Sequence, residues 1–373
     1  MEGPRGVRKE EFDDLVKLVN LTFRPERQSM QREHESIFNE ENLEHLRVIV
    51  EDGKPVSHIG TLEKEVLIYN CKSKVGLVGS VCTHPDYRGR GYATLLLNDC
   101  IRRFNEHGCD FMLVSGARRL YDSADCLSVG NVIRLEIMKR DLWRFERNKA
   151  TSIEDFSEKY LEDMMKSYEK KKVRFIRERK DWEIGLRCGQ VMNVPSDFLI
   201  IKENSKFKGY LIVNFSGGRG DVKEYGGDRQ SLIGAIPILF EKYQLDALTF
   251  PIPFEDREFA GLIQDRGVHS SVTPINAPCT VRVLNFSRFM ERARPYFREK
   301  LGDIAEDLKF EEKGEEYKIS LGKEDFIIKG RRAMTWTILS RPGGYEITGE
   351  GRVIEAIRNV LPIPFLWYGI NFI

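Results

Sequence analysis

Val81-Cys82-Thr83-His84-Pro85-Asp86-Tyr87-Arg88-Gly89-Arg90-Gly91-Tyr92-Ala93 is the stretch on which the reading of this chain turns. On its left, Val75 to Cys82 is a run of small and apolar residues that predicts a strand. On its right, Ala93, Leu96, Leu97, Cys100, Ile101 and Phe104 recur at helical spacing, and Gly108 stops that helix. Between them stand two glycines one residue apart. Without a Cβ, Gly89 and Gly91 let the chain turn tightly and bring successive backbone N–H groups towards one point. The unpaired N–H groups at the start of the helix aim at the same point. Each hydrogen bond to a charged group is worth about 1.5–3 kcal/mol, so several together hold a pyrophosphate without a basic side chain. Strand, glycine-rich turn and helix in that order predict an anion cradle.

Around this centre, the first region, to about residue 147, mixes helix and strand signals. Glu11 to Phe23 places Phe12, Leu15, Val16, Val19 and Phe23 on one helical face. Val48-Ile49-Val50 followed by Glu51-Asp52-Gly53-Lys54-Pro55 reads as a strand entering a turn, with further strands at Val66 to Tyr69 and Phe111 to Val114. A second region, about 150 to 290, repeats the alternation. It has a charged helix (Ser157 to Lys172), strands at Phe198–Ile201 and Tyr210–Val213, a helix from Gln230 to Lys242, and a strand from Ala247 to Phe250. Gly217-Gly218-Arg219-Gly220 reads as a hairpin turn. A third region, from near Phe286, opens with a helix from Phe289 to Ala305. Strands follow at Tyr317–Leu321, Phe326–Ile328 and Met334–Leu339, then a short helix, Gly351 to Leu361, and an apolar tail.

A chain of 373 residues predicts two or three domains. Hydrophobic residues at 41% and charged residues at 31% describe a globular protein. With 59 basic against 58 acidic residues the net charge is +1, which supplies no global field for nucleic acid or an anionic membrane. Lys170-Lys171-Lys172 and Arg102-Arg103 read as solvated helix faces. Met1-Glu2-Gly3-Pro4 opens a charged stretch without the apolar core of a signal peptide. No apolar run approaches the roughly 18 residues of a membrane span. Seven cysteines without a C-x-x-C pair suit buried thiols in a reducing compartment, so a cytoplasmic protein without a bound metal is expected.

The string Val-x-Thr-x-Pro-x-Tyr-Arg-Gly-Arg-Gly-Tyr-Ala resembles the acetyl-CoA motif of the GNAT superfamily of N-acetyltransferases, with its Arg-x-x-Gly-x-Ala core as Arg88, Gly91 and Ala93. The resemblance implies acetyl-CoA as cosubstrate, bound by Val81, Cys82, Thr83, Arg88, Gly89, Arg90, Gly91, Tyr92 and Ala93. It also implies an outward bend in the strand, where pantetheine pairs with main chain. Downstream, members of the superfamily commonly carry Tyr-x-x-x-Gly-Phe-x-x-x-Gly. Here Tyr121 and Gly130 match, and Asp125 and Cys126 replace the Gly-Phe pair. The whole layout is similar to Eis-like acetyltransferases: a catalytic GNAT domain (1–147), a degenerate GNAT-like domain (148–287) and a sterol-carrier-protein-like domain with an apolar tail (288–373). The implied fold is mixed α/β and α+β, with tandem mixed sheets and a small α+β module. Such relatives acetylate aminoglycosides, peptide lysines or polyamines, and the resemblance implies an assembly of more than one chain. Their tyrosine acid corresponds to Tyr121, and their base, the chain's own terminal carboxylate, to that of Ile373.

Amine attack on a thioester needs a neutral amine, an oriented carbonyl and a proton for the departing thiolate. A main-chain N–H near Val81 or Cys82 would polarise the carbonyl. A phenol with pKa near 10 is a weaker acid than a thiol near 8.5, so complete transfer from Tyr121 is uphill by roughly 2 kcal/mol and a hydrogen bond to the developing thiolate is the more modest role. Glu63, Glu65, His84 and the Ile373 carboxylate are the candidate bases. The tail Pro362 to Ile373 is too apolar to be left exposed, so it either completes a core or carries the terminal carboxylate to a fixed place. In the second region, Glu224-Tyr225-Gly226-Gly227-Asp228-Arg229 stands where the cradle would fall, and its two acids disfavour a pyrophosphate. One cofactor site per chain is expected. The competing reading is a non-catalytic acyl-CoA sensor or lipid-binding module, which turnover would distinguish.

Overall fold

The computed structural model describes residues 1–268, 272–340 and 347–373. Contacts group Met1–Val129 with Pro278–Ile363 and Ile373 in one unit, and Gly130–Ala277 with Pro364–Phe372 in another.

In the first unit, β1 (Glu2–Gly6), β2 (Leu46–Glu51), β3 (Lys54–Ile68), β4 (Cys71–Thr83) and β5 (Phe111–Val114) lie side by side in that order, with the strand Thr280–Val283 beyond β5. All neighbours pair antiparallel except β4 and β5, which are parallel over Val75–Val78 and Phe111–Val114. A parallel pair needs a crossover. Helix α2 (Tyr92–Glu106) supplies it, while α1 (Phe12–Phe23) packs on β3 and β4. Leu96, Leu97, Cys100 and Phe104 form the buried stripe of α2, each large side chain worth about 1.5–3 kcal/mol of burial. Phe104 lies flat on β4 because position 76 is glycine: a Cβ there would stand 2.5 Å from its ring.

Two expectations change here. The strand anticipated at Val66–Tyr69 is the end of the 15-residue β3. Its earlier half was hidden because Ser57, His58 and Gly60 are buried, so no alternation of polar and apolar residues marks it. On α1 the inward residues are Phe12, Leu15, Leu18 and Val19, and Val16 and Phe23 are half-buried.

The later part of this unit has three short helices, Phe286–Arg292, Arg294–Leu301 and Ile304–Asp307, in place of one from 289 to 305. Pro295 starts the second, and Gly302, at φ +61°, ends it. The strands Leu308–Lys313, Glu316–Leu321 and Glu324–Lys329 form an antiparallel meander. Met334–Leu339, expected as a strand, lies in the helix Arg331–Leu339. Its β-branched residues pointed the other way. Buried on nearly every side, they follow packing over propensity, and Thr337 returns its hydroxyl to Ala333 O at 2.8 Å. Asp110, fully buried after α2, receives Arg288 at 2.9 Å and Arg292 at 2.6 Å from the first of these helices.

The second unit holds a seven-stranded sheet in the order Val272–Ile275, Val132–Met138, Ala247–Pro253, Arg219–Gly227, Lys206–Ser216, Asp197–Glu203, Thr151–Asp155. It too has one parallel pair, Arg219–Asp221 with Ala247–Thr249, bridged by the helix Arg229–Tyr243. Two mixed sheets of one plan in a single chain are the tandem arrangement that the repeated alternation predicted. The charged helix anticipated at 157–172 is a 3-10 turn, Glu158–Tyr160, followed by Leu161–Glu169.

Candidate active site

Pairing of β3 with β4 fixes Gly60 opposite Gly79 and His58 opposite Cys82, so Ser80 and Val81 stand against the single residue Ile59. That is a β-bulge, and Ser80 takes φ +53° to make it. Among the described residues the ladder to β5 ends at Val78–Val114, where Ser115 donates both its N–H (3.0 Å) and its Oγ–H (3.2 Å) to Val78 O. At the Ser80 bulge β4 bends, and it runs on to Thr83 past the end of its ladder with β5. The outward bend expected near Val81 is thus centred on Ser80.

Beyond Thr83 the chain makes a 3-10 turn, Pro85–Tyr87, and reaches the glycines. Gly89 (φ +79°) and Gly91 (φ +78°) are both left-handed, and beyond the adjoining chain no atom of the described residues lies within 4 Å of a would-be Cβ. Conformation, not crowding, therefore requires glycine there. Gly91 is the N-cap of α2 and, having no side chain, makes no side-chain cap there. Arg88 Nε donates to Thr83 O at 3.3 Å, and Arg90 donates to Asp86 O at 3.3 Å with its guanidinium 4.7 Å over the Tyr87 ring. Both arginines brace the loop from outside. Tyr92 is buried, donating its hydroxyl to Glu51, and Ala93 is half-buried in the first turn of α2. The result is a concave run of main chain at an uncapped helix start, the geometry that receives a pyrophosphate.

The second unit makes the contrast. At the start of its crossover helix Asp228 accepts from Ser231 N at 2.7 Å, so a carboxylate occupies the place of an anion. Glu224 is buried, accepting both arms of Arg177 at 2.8 and 2.7 Å and the Tyr210 hydroxyl at 2.8 Å.

Tyr121 lies in the short helix Arg119–Asp122, 4% exposed, in one core cluster with Val78, Val81 and Tyr92. Burial raises its pKa above that of a free phenol, so it is protonated at neutral pH and able to donate. Asp125, which stands for the glycine of the motif, is left-handed (φ +54°), a region aspartate tolerates, and Cys126, which stands for the phenylalanine, is buried in the same core cluster as Tyr121. Burial pushes the Cys82 thiol up to about 12, which leaves it no thiolate at neutral pH.

Ile373 is 3% exposed, and its terminal carboxyl group packs on Gly79: a Cβ built there would meet both the carboxyl carbon and oxygen at 2.6 Å. The last residue of the chain thus reaches the end of the ladder between β4 and β5. The nine residues before it belong to the second unit. There Arg177 Nε donates to Asn371 Oδ1 (2.6 Å), Trp367 Nε1 to Lys223 O (2.6 Å) and Phe365 N to Asn131 Oδ1 (2.9 Å). Gly369, at φ +52°, sits so close on Glu224 that no side chain fits.

The other candidate bases stand elsewhere. Glu63 pairs with Gly76, three positions from the Gly60–Gly79 pair and therefore about 10 Å along the ladder. Burial pushes its pKa up, but hydrogen bonds from Lys74 and His107, each at 2.5 Å, outweigh that and hold it low. Glu65 is exposed opposite Lys74. His84 is tied into the loop, its Nδ1 accepting from Asp86 N at 3.4 Å and its ring edge-on to Tyr87. Gly79 and Ser80 escaped the sequence reading. The signal available was a Gly-Ser pair interrupting an otherwise apolar strand.

Residues 4–126 match the family described as Acetyltransferase (GNAT) domain. Over the whole chain the fold is similar to a conserved protein of unknown function from Enterococcus faecalis V583, described as a probable N-acyltransferase. The identity is 14%, with 97% of this chain and 96% of that one covered, at a TM-score of 0.64. A GCN5-related N-acetyltransferase from Anabaena variabilis ATCC 29413 shares 15% identity over 87% of this chain and 84% of its own, at 0.58. Eis1 from Mycobacterium abscessus shares 12% over 76% and 74%, at 0.53. No curated protein sequence matches the chain significantly. These structures share the fold. With the matched domain at its N-terminal end, the chain is an acyltransferase.

Proposed function

We propose that the chain transfers the acetyl group of acetyl-CoA to a primary amine by direct attack beside the end of the ladder between β4 and β5. The main chain from Arg88 to Ala93 receives the pyrophosphate. The bent strand at Val81 and Cys82 pairs with pantetheine and directs an N–H at the thioester carbonyl, where charge develops as the amine adds. Tyr121 donates a hydrogen bond to the sulfur as the carbon–sulfur bond breaks, and its raised pKa keeps that proton in place. The base is the Ile373 carboxylate. With a pKa near 3.5 it is too weak to deprotonate a free ammonium, and it works on the far more acidic N–H formed once the carbon–nitrogen bond exists.

The observation that carries this reading is the packing of the Ile373 carboxyl on Gly79, the β4 residue directly ahead of the bulge. A negative group there favours a cationic acceptor, which agrees with aminoglycosides, peptide lysines and polyamines as the substrate class. The Eis-like layout, the sterol-carrier-like character of residues 288–373, a cytoplasmic location and assembly of several chains belong to the same proposal. Likeness in fold to Eis1 from Mycobacterium abscessus supports it. Extending the chain by a few residues beyond Ile373 replaces the carboxylate with an amide. CoA release in the presence of acetyl-CoA and a reactive amine should then be lost while CoA still binds. Full turnover by the extended chain would sink the assignment of the base.

A further inference from the structure

In the second unit the parallel ladder is short as well. Past Asp221 and Thr249 no further pairing joins Arg219–Gly227 to Ala247–Pro253 among the described residues. A cavity of about 220 Å³ opens there, walled by Glu224 on one strand, by Pro253 and Glu255 at the end of the other, by Lys171, and by Phe365 and Trp367 of the tail. Three of the charges that line it, on Glu224, Arg229 and Asp256, are already committed. Glu224 belongs to Arg177, and Asp256 accepts from Arg229 and from the Tyr225 hydroxyl, both at 2.8 Å.

Lys171 and Glu255 are not. The Lys171 ammonium has no ion pair among the described residues and stands over the Tyr225 ring at 4.8 Å and the Tyr168 ring at 5.6 Å. Glu255 Oε2 is shielded from solvent without a hydrogen-bond partner, and a turn about the last bond presents either oxygen. Burial draws the lysine down to about 8 and pushes the glutamate up to about 7, so each is short of a partner of opposite charge. They face one cavity yet lie beyond ion-pair distance of each other. An anion alone would leave the carboxyl unsatisfied and face its charge. A cation alone would face the ammonium. One molecule bearing both charges completes both.

We propose that this cavity binds a small zwitterion, a free α-amino acid with an apolar side chain, its carboxylate on Lys171, its ammonium on Glu255 and its side chain against Phe365 and Trp367. Neither the site in the first unit nor transfer chemistry enters this inference. Titration calorimetry on the full chain, without acetyl-CoA, tests it with L-leucine, L-methionine and L-phenylalanine. The singly charged analogues 4-methylpentanoate and 3-methylbutylamine serve as controls. At least one amino acid should bind saturably, and the analogues should bind at least about tenfold more weakly, the worth of one charge-assisted hydrogen bond. Lys171→Met and Glu255→Gln should each weaken binding by a similar factor at unchanged melting temperature. Should Lys171→Met fail to fold, Lys171→Gln and Glu255→Gln carry the same comparison. Absence of binding by all three amino acids at millimolar concentration, or equal binding by a singly charged analogue, would overturn the proposal.

Discussion

Gly79→Ala changes one hydrogen to a methyl and perturbs the site where the account is most specific. The new Cβ would stand 2.6 Å from the carboxyl carbon and oxygen of Ile373 and 3.1 Å from its Cγ1, whereas ordinary contact begins at 3.4 Å. The backbone of β4 at this residue has no positive φ, so alanine is compatible with the strand and the terminus must give way. Its retreat is close to about 1 Å, a misplacement worth about 100-fold in rate, or roughly 2.7 kcal/mol. Steady-state CoA release should therefore show kcat lowered about 100-fold, with KM for acetyl-CoA little changed and the melting temperature within a few degrees of wild type. In a chain extended beyond Ile373, the same substitution should cost nothing further, since both changes act through one group. Wild-type kcat for Gly79→Ala would refute the reasoning. An equal loss in the extended chain, or a raised KM for acetyl-CoA, would assign Gly79 to the cofactor path instead.

Three further expectations follow from the same contacts. Tyr121→Phe should lower kcat by about 10²–10³ while acetyl-CoA affinity, read by calorimetry, is retained, because the lost donor acts only as thiolate develops. Asp110→Ala leaves the half-exposed Arg288 and Arg292 without their buried acceptor and should cost about 1–3 kcal/mol in denaturant unfolding. His58 is fully buried, and burial draws its pKa from 6.5 down to about 3. The unfolded chain therefore binds more protons between those values. Stability present above pH 6.5 is lost as pH falls towards 3, by up to about 5 kcal/mol, and His58→Gln should flatten that part of the stability–pH curve.

The elements most legible in the sequence were those whose local chemistry leaves one option. Gly89 and Gly91 announced their left-handed turn, the periodic leucines of α2 announced its buried face, and the second alternation announced a second mixed sheet. The bulge at Ser80 was not legible, because a bulge is a mismatch of register between two strands and neither strand records it alone. Met334–Leu339 misled because β-branched residues suit a strand until tertiary burial on all sides decides otherwise. The tail was legible as buried but not as to place. Its seat is formed by Arg177 and Glu224, which are far apart in sequence and carry charges that would ordinarily mark them as exposed. Asp125 was the reverse case. It looked like a break in the motif, yet its backbone is left-handed, a region that glycine takes freely and aspartate tolerates.

Amine-dependent thiol release reads the proposed acetyl transfer itself. The intact chain is incubated with acetyl-CoA and a panel of aminoglycosides, lysine peptides and polyamines, with free CoA and the mass of each amine followed together. At least one amine should become one acetyl group heavier for every CoA released, and that activity should be lost when the chain is extended past Ile373. Tight binding of CoA with no acetylated product from any member of the panel would contradict the proposed transfer.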